Sequence, residues 1–245
     1  MLIEFRKQDK SGVYGFTQKI TAYNSNKIEG STLTESQTAS LFDTGTFYAD
    51  DSDTIFRAKD VEEMNGHFKM FIYMLKCLDE QLSESIIKEM HKNLKEGVFE
   101  DLANGYAIGE WKRRKNMVGN IITALPQEVP ERIHVLLDIY NSKDDIDILD
   151  IAKFHVEFET IHPFQDGNGR VGRMLILKQC LDNDILPIVI RDSQKVQYCN
   201  GLSRAHDNND YSSLVTFFKQ EQEYYKEAVL PMIFDYEEIE TMDVF

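Results

Sequence analysis

The chain is short of basic residues. Lys and Arg number 27 against 42 Asp and Glu, for a formal net charge of −15 over 245 residues. A protein whose main partner is nucleic acid needs a basic face to neutralise phosphates, so that class is set aside. Cysteine is scarce: Cys77, Cys180 and Cys199 are odd in number and lack metal-ligand spacing, which predicts free thiols in a reducing compartment. No run of about 18 apolar residues occurs, so no membrane-spanning helix and no membrane partner are expected. The first residues, Met1 to Lys7, lack the basic start and apolar run of a secretory leader, and a cytoplasmic location is the expectation. Internal repeats, low-complexity linkers and a recognisable helix-turn-helix appendage are also missing. What is present, 42% hydrophobic residues in mostly helical punctuation, suits one substantial core.

One stretch organises the rest: Ile161-His162-Pro163-Phe164-Gln165-Asp166-Gly167-Asn168-Gly169-Arg170-Val171-Gly172-Arg173, followed by the apolar run Met174 to Leu177. Pro163 biases His162 away from helical geometry, so a helix should stop near Ile161. Asp166 is placed to cap the next helix, and Gly167 and Gly169 let a ligand approach the backbone closely. A helix start with free N–H groups is an anion site. Arg170 and Arg173 stand three apart on one face of its first turns. Two guanidinium forks suit several phosphates better than one. Asp166 offers the hard oxygen that Mg²⁺ takes when phosphates supply the others, and His162 is the nearby group able to accept a proton near neutral pH. Together these parts read as phosphoryl or nucleotidyl transfer.

Along the chain, residues 1 to 20 carry no firm assignment. Ser25 to Gly30 reads as a short helix ending at a glycine stop. Thr34 opens a polar helix that gives way to Gly45. Thr54 to Leu82 reads as a long helix, and Ser83 opens another that stops at Gly97. His67 and His91 lie within these segments and are read as ordinary helix residues. Gly109 to Gly119 is the clear loop-and-strand stretch, its basic run Lys112 to Lys115 taken as a solvated turn. Val129-Pro130-Glu131 starts a helix through Tyr140, and Asp144 to Ile161 forms the next. His155 and His162 are two turns apart, but no third ligand has suitable spacing, so histidine metal ligation is not expected. His155 is a core histidine beneath the loop. Further helices run around Gln194 to His206 and from Asp210 to Met232, with an acidic tail, 236–245, solvated or frayed. The fold class is all-α, a helical bundle with one small β-hairpin.

The string from His162 to Arg173 resembles the signature of Fic proteins, His-Pro-Phe-x-(Asp/Glu)-Gly-Asn-Gly-Arg-x-x-Arg, matched at every specified position. The resemblance implies a Fic fold over roughly residues 20 to 230 and a protein adenylyltransferase that moves AMP from MgATP to a Ser, Thr or Tyr hydroxyl. It implies that His162 deprotonates the hydroxyl and Asp166 binds Mg²⁺. Gly167, Asn168 and Gly169 would form the anion hole, Arg170 and Arg173 hold the β- and γ-phosphates, and Phe164 anchors the loop. Doc-type relatives carry lysine at the second glycine and transfer a phosphoryl group; Gly169 sets this chain with the AMP-transferring type. Ser25-Asn26-Lys27-Ile28-Glu29-Gly30 resembles the family's inhibitory motif, (Ser/Thr)-x-x-x-Glu-(Gly/Asn), which implies that Glu29 pairs with Arg173 and blocks the γ-phosphate position. The Gly109 to Gly119 stretch resembles the family's flap, with Lys112 at a position often arginine and a target-clamping strand near Asn116 to Thr123 that includes Met117, Val118 and Gly119. Tyr198 falls on a tyrosine that holds adenosine in relatives, and His206 stands where asparagine is usual.

The expected layout is therefore an N-terminal region, 1–50, carrying the inhibitory helix, a Fic domain, 51–235, and the tail, 236–245. ATP and a hydroxyl-bearing protein, the chain itself included, are the expected partners, and a homo-oligomer is left open. The alternatives are removal of AMP by the same fold, a nucleotide-binding interaction protein that has lost catalysis, and a DNA-binding regulator.

Overall fold

The computed structural model describes residues 1–46, 56–118 and 121–242. Its centre is a helix that water hardly reaches, α9 (Asn168–Asp182), buried at every residue from Arg170 to Cys180. A helix buried on all sides has no polar face to spare, so its charged side chains must find partners inside. Lys178 does so by donating to the carbonyls of Cys77 and Glu80 and to Asp182. The elements that enclose α9 are α2 (Val13–Ile28), α4 (Ala58–Lys76), α5 (Glu84–Lys95) and α8 (Ile148–Ile161).

The remaining helices fill the flanks. Ahead of α2 lies α1 (Leu2–Lys7), and after it α3 (Glu35–Thr44) packs on α2 and α4. The loop after α5 carries α6 (Phe99–Ala103). Then come strands β1 (Met117–Val118) and β2 (Ile121–Ile122), antiparallel with Met117 opposite Ile122. Next, α7 (Val129–Asn141) packs on α5 and α8. Finally, α10 (Lys195–Asn208) and α11 (Ser212–Met242) cover the far side of α8. The fold is all-α with a two-stranded hairpin. Gly119, expected in the flap, lies outside the described residues.

Local chemistry explains the boundaries. Thr34 and Gln37 form a capping box at the start of α3, and Gly45 ends it at φ 75°. Ser83 caps α5. Of the long helix expected over 54–82, Thr54 and Ile55 lie outside the described residues, and the helix observed is Ala58–Lys76, which ends at Cys77 ahead of a turn at Asp79, φ 67°. The helix expected from Asp144 starts at Ile148, where Asp147 and Asp150 form a second capping box. At the other end the correction is an extension: α11 continues past Pro231 to Met242, so the backbone over 236–242 is helical rather than frayed. Glu237, Glu238, Glu240 and Met242 are good helix formers, which offsets the bond lost at the proline. Residues 243–245 lie outside the described set. No described helix is long and apolar enough to cross a membrane.

Candidate functional site

The His162–Arg173 string folds as a braced loop between α8 and α9. His162 terminates α8 in the left-handed region, φ 52° and ψ 61°, its N–H still donating to the Phe158 carbonyl at 2.9 Å. Gly167, at φ 84°, is the residue from which α9 starts. Asn168 closes the loop with both ends of its amide: Oδ1 accepts the Phe164 N–H at 2.7 Å and Nδ2 donates to the Phe164 carbonyl at 2.8 Å. Asp166 is not the expected cap. It lies one residue earlier, and its Oδ1 accepts the Gly167 N–H at 2.7 Å.

Beneath the loop is Phe164, fully buried, its ring stacked on His91 at 3.8 Å and tilted against Trp111 at 5.1 Å. His91 is more than an ordinary helix residue. Its Nδ1 accepts the Gly109 N–H at 2.9 Å, which leaves Nε2 to donate to the Asp166 carbonyl at 3.1 Å. Burial lowers its pKa to about 3, so the ring is neutral and fixed in one tautomer. Nothing in the sequence near His91 announces this, because its partners are 18 and 75 residues away.

The two arginines are held by carboxylates of different helices, although Arg170 also reaches Asn26 of α2 at 3.4 Å. Arg173 donates from Nε to the Ser25 hydroxyl at 3.0 Å and from Nη2 to the Ser25 carbonyl at 2.9 Å and Glu29 Oε1 at 2.7 Å. Burial pushes the Glu29 carboxyl up, but Arg173 and Arg170 outweigh it and hold the carboxyl below its ordinary value. Gly30 follows at φ 89° and frees the chain to turn away from α2. Glu29 also covers the backbone of the loop: a Cβ added at Gly169 would meet Glu29 Oε1 at 2.5 Å. Arg170 reaches α4 instead, with Nη1 2.5 Å from Glu63 Oε2 and Nη2 3.5 Å from Asp166 Oδ2.

A buried lysine completes the acidic side. Lys95, 2% exposed at its side chain, lies 2.5 Å from Glu63, 2.6 Å from Asp101 and 2.8 Å from Asp166. The carboxylate oxygens of Glu63, Asp101 and Asp166 fall within 4.8 Å of one another. Burial would raise the Asp166 carboxyl, yet Arg170 and Lys95 hold it far below its ordinary value. Glu63, Lys95 and Asp101 come from three separate segments, and helical spacing alone does not single them out. A cavity of about 580 Å³ opens over this region, lined by Glu29, Lys59, Glu63, Phe99, Asp166 and Arg170 among others.

His162 stands at the other end of the loop, its side chain 17% exposed. Burial and the nearby Lys112 charge lower its pKa to about 4, so at neutral pH the imidazole is uncharged and able to accept a proton. Lys112 is not part of a solvated turn. It is 2% exposed and donates to Asn116 Oδ1 at 2.6 Å, Thr123 Oγ1 at 2.9 Å and the Ile161 carbonyl at 3.2 Å. Asn116 Nδ2 in turn donates to the Phe164 carbonyl at 2.8 Å. The base of the hairpin is thus tied to the loop, with Asn116 turned inward and Met117 64% exposed beyond it.

The two residues matched to adenosine contacts differ in placement. Tyr198 is 3% exposed, its hydroxyl 2.6 Å from His155 Nε2 inside the core. His206 is exposed, with Nδ1 3.1 Å from the Thr160 hydroxyl. The structure therefore brings His162, Asp166 and both arginines to one loop, adds Ser25 and Glu29 from α2, and buries Tyr198 against His155 and beside Arg173.

Comparison with known proteins relates the segment that carries this loop to a family. Residues 81–180 match the Fic/DOC family. A probable protein adenylyltransferase of Aquifex aeolicus is 32% identical over 114 residues, covering 45% of this chain and 35% of that protein. Protein adenylyltransferase Fic of Nematostella vectensis is 26% identical over 190 residues, covering 75% of this chain and 42% of its own length. The chain thus spans less than half of each of these curated relatives. A solved Fic domain-containing signalling protein from Bacteroides thetaiotaomicron superposes with a TM-score of 0.72 at 27% identity, covering 86% of this chain and 84% of that one. With the signature folded into a braced loop at the head of a buried helix, and with that frame shared by a Fic structure, the chain carries a Fic domain.

Proposed function

We propose that the protein transfers AMP from MgATP to a Ser, Thr or Tyr hydroxyl of a protein, and that Glu29 restrains it. The observation that carries this reading is the convergence on one glycine-lined helix start of two arginines, a carboxylate and a neutral imidazole. His162 takes the proton of the incoming hydroxyl as its oxygen bonds to the α-phosphorus. The bond from that phosphorus to the bridging oxygen breaks, and pyrophosphate leaves. The reaction asks the protein mainly for positioning and for charge opposite the phosphates. Arg170 and Arg173 supply the charge, and the N–H groups of Gly167 to Gly169 line the helix start.

The donors fit Mg²⁺. Asp166 is 34% exposed at its side chain and borders the cavity, a hard oxygen of the kind that joins phosphate ligands on this ion. Glu63 and Asp101 face Lys95 and stay buried, so one carboxylate, Asp166, would hold the metal. When bound there, Mg²⁺ would offset phosphate charge. Of the adenosine candidates, His206 is retained as a contact, while Tyr198 is buried on His155 and beside Arg173.

Restraint follows from position. Glu29 holds the Nη2 that a γ-phosphate would take from Arg173, and it stands over Gly169. The same position gives removal of AMP as a second reading, with the carboxylate orienting a water. Labelled ATP incubated with wild type, Glu29→Gly and His162→Ala tests the first reading. His162→Ala should keep ATP binding and lose transfer by about two to four orders of magnitude. Unchanged transfer would remove His162 from the mechanism. An AMP-modified target tests the second: faster AMP release by wild type than by Glu29→Gly supports it.

A further inference from the structure

Three buried polar atoms between α8 and α9 have no hydrogen-bond partner among the described residues: His155 Nδ1, Glu159 Oε1 and His162 Nδ1. Burying such atoms without partners costs about 1–3 kcal/mol each, so the nearest groups able to pair with them carry weight. The three belong to one helix and its cap, at i, i+4 and i+7, and Glu159 is three residues before His162 on the same face. Its Oε2 is 3.9 Å from His162 Nδ1, longer than a hydrogen bond, and the Glu159 backbone also faces the ring.

The packing makes room for this carboxyl. A Cβ added at Gly172 would meet Glu159 Oε1 at 2.4 Å and the His155 ring at 3.1 Å, so α9 approaches α8 at a residue without a side chain. The groups that face Glu159 are His155 and His162 from its own segment, Arg173 from α9, Glu29 from α2 and Tyr198 from α10. Lys112 faces His162 from the flap loop.

We infer that Glu159 is the positioning residue for His162, accepting the imidazole Nδ1–H and so leaving Nε2 as the nitrogen that takes the target's proton. This rests on the transfer reaction proposed above. As Nε2 gains the proton, the ring becomes an imidazolium whose Nδ1–H faces the carboxylate, which stabilises the charge where it develops. The device needs the ionised form. A protonated Glu159 donates to Nδ1 instead and leaves Nε2 carrying the hydrogen, the wrong tautomer for a base. Burial raises the Glu159 carboxyl to about 7 against the pull of Arg173. Ionisation is therefore gained as pH rises through about 7, and transfer should rise with it. Glu29, the other carboxylate nearby, pushes the Glu159 value up, so removing Glu29 should move the inflection to lower pH.

The experiment uses the full chain in the Glu29→Gly background, comparing Glu159 with Glu159→Gln and Glu159→Ala in labelled-ATP transfer from pH 5.5 to 9. Glutamine keeps an acceptor for Nδ1–H and cannot titrate. It should retain at least a tenth of the plateau kcat and lose the inflection, which in this background falls below that of the chain with Glu29. Alanine should drop kcat by about 10²-fold or more with KM for ATP little changed, since positioning the base matters to chemistry rather than to phosphate binding. Nitrogen-15 spectra of the histidines provide a readout that does not depend on activity: His162 should be the Nδ1–H tautomer at pH 8 with Glu159 present and lose that preference with alanine. An alanine variant with unchanged kcat and unchanged His162 tautomer would overturn the inference, as would an inflection that survives in the glutamine variant. Absence of transfer in every protein would instead overturn the proposed reaction, and the tautomer comparison would still decide the role of Glu159.

Discussion

Arg170 and Arg173 leave the same helix one turn apart and are closed off in different ways. Arg170 is held by Glu63, whose side chain is 9% exposed and which also pairs with buried Lys95. Arg173 is held by Glu29, whose side chain is 39% exposed and which ends α2 just before a glycine at φ 89°. A carboxylate locked among buried cations belongs to the fold, because removing it strands charges away from water. A carboxylate at a helix end, 39% exposed and one residue before a glycine in the left-handed region, has fewer ties to the bundle. The difference suits scaffold for one contact and the proposed restraint for the other, although both are short ion pairs on signature arginines.

The largest effect that would sharpen this contrast is expected from Glu63→Ala. It leaves Lys95 and Arg170 competing for Asp166 and Asp101 inside the bundle. Breaking a buried pair from one side costs about 3–5 kcal/mol, and urea unfolding should show a loss of that size. A loss like that of an exposed pair, about 1 kcal/mol or less, would break the comparison.

Glu29→Gly should do the reverse. Its stability change is expected to be smaller than that of Glu63→Ala, because Glu29 is 39% exposed at its side chain and Arg173, itself buried, keeps both contacts to Ser25. Transfer should rise roughly 5- to 150-fold, the effect of about 1–3 kcal/mol of coupling between sites. Glu29→Asp should keep part of the block with a shorter reach. Glu29→Gly with Arg173→Ala should be as inactive as Arg173→Ala alone, since the freed guanidinium is what the γ-phosphate needs. Equal autotransfer by wild type and Glu29→Gly would mean that the pair is structural on both sides.

These expectations show where the sequence was readable. The signature is contiguous, so its loop, its helix start and the separate Glu29–Arg173 pairing could be named from residue order and family resemblance. Caps were readable for the same reason: Thr34, Ser83 and Gly45 act on neighbours within one turn. The scaffold behind the site was not. Glu63, Lys95 and Asp101 meet through α4, α5 and α6, and a charged residue on a helix is ordinarily a solvated one. Lys112 was misplaced for that reason, as one member of a basic run whose burial depends on the distant Ile161 carbonyl. Tyr198 shows the opposite limit, since resemblance named the residue while packing turned its ring inward. Glu159 was within reach, three residues before His162, but only the shared face and the gap at Gly172 make it more than another acidic helix residue.

The smallest effect concerns Ser25, which tests whether restraint extends beyond Glu29. Ser25 is 2% exposed and touches Arg173 twice, through its hydroxyl to Nε and its carbonyl to Nη2. Alanine removes the first contact and leaves the second. The net loss for one such hydrogen bond is about 0.5–1.5 kcal/mol, to be read in urea unfolding. Its consequence for transfer separates two roles. Nε lies on the inner side of the guanidinium, whereas Glu29 occupies Nη2 where a phosphate would bind. A brace on Nε therefore serves Arg173 whichever anion it faces. Ser25→Ala in the Glu29→Gly background should lower transfer by roughly 2- to 10-fold, the same free energy expressed as a rate. In the wild-type background it should not activate. If Ser25→Ala alone raised transfer as Glu29→Gly does, the serine would belong to the block, and restraint would be a property of the end of α2 as a whole rather than of one carboxylate.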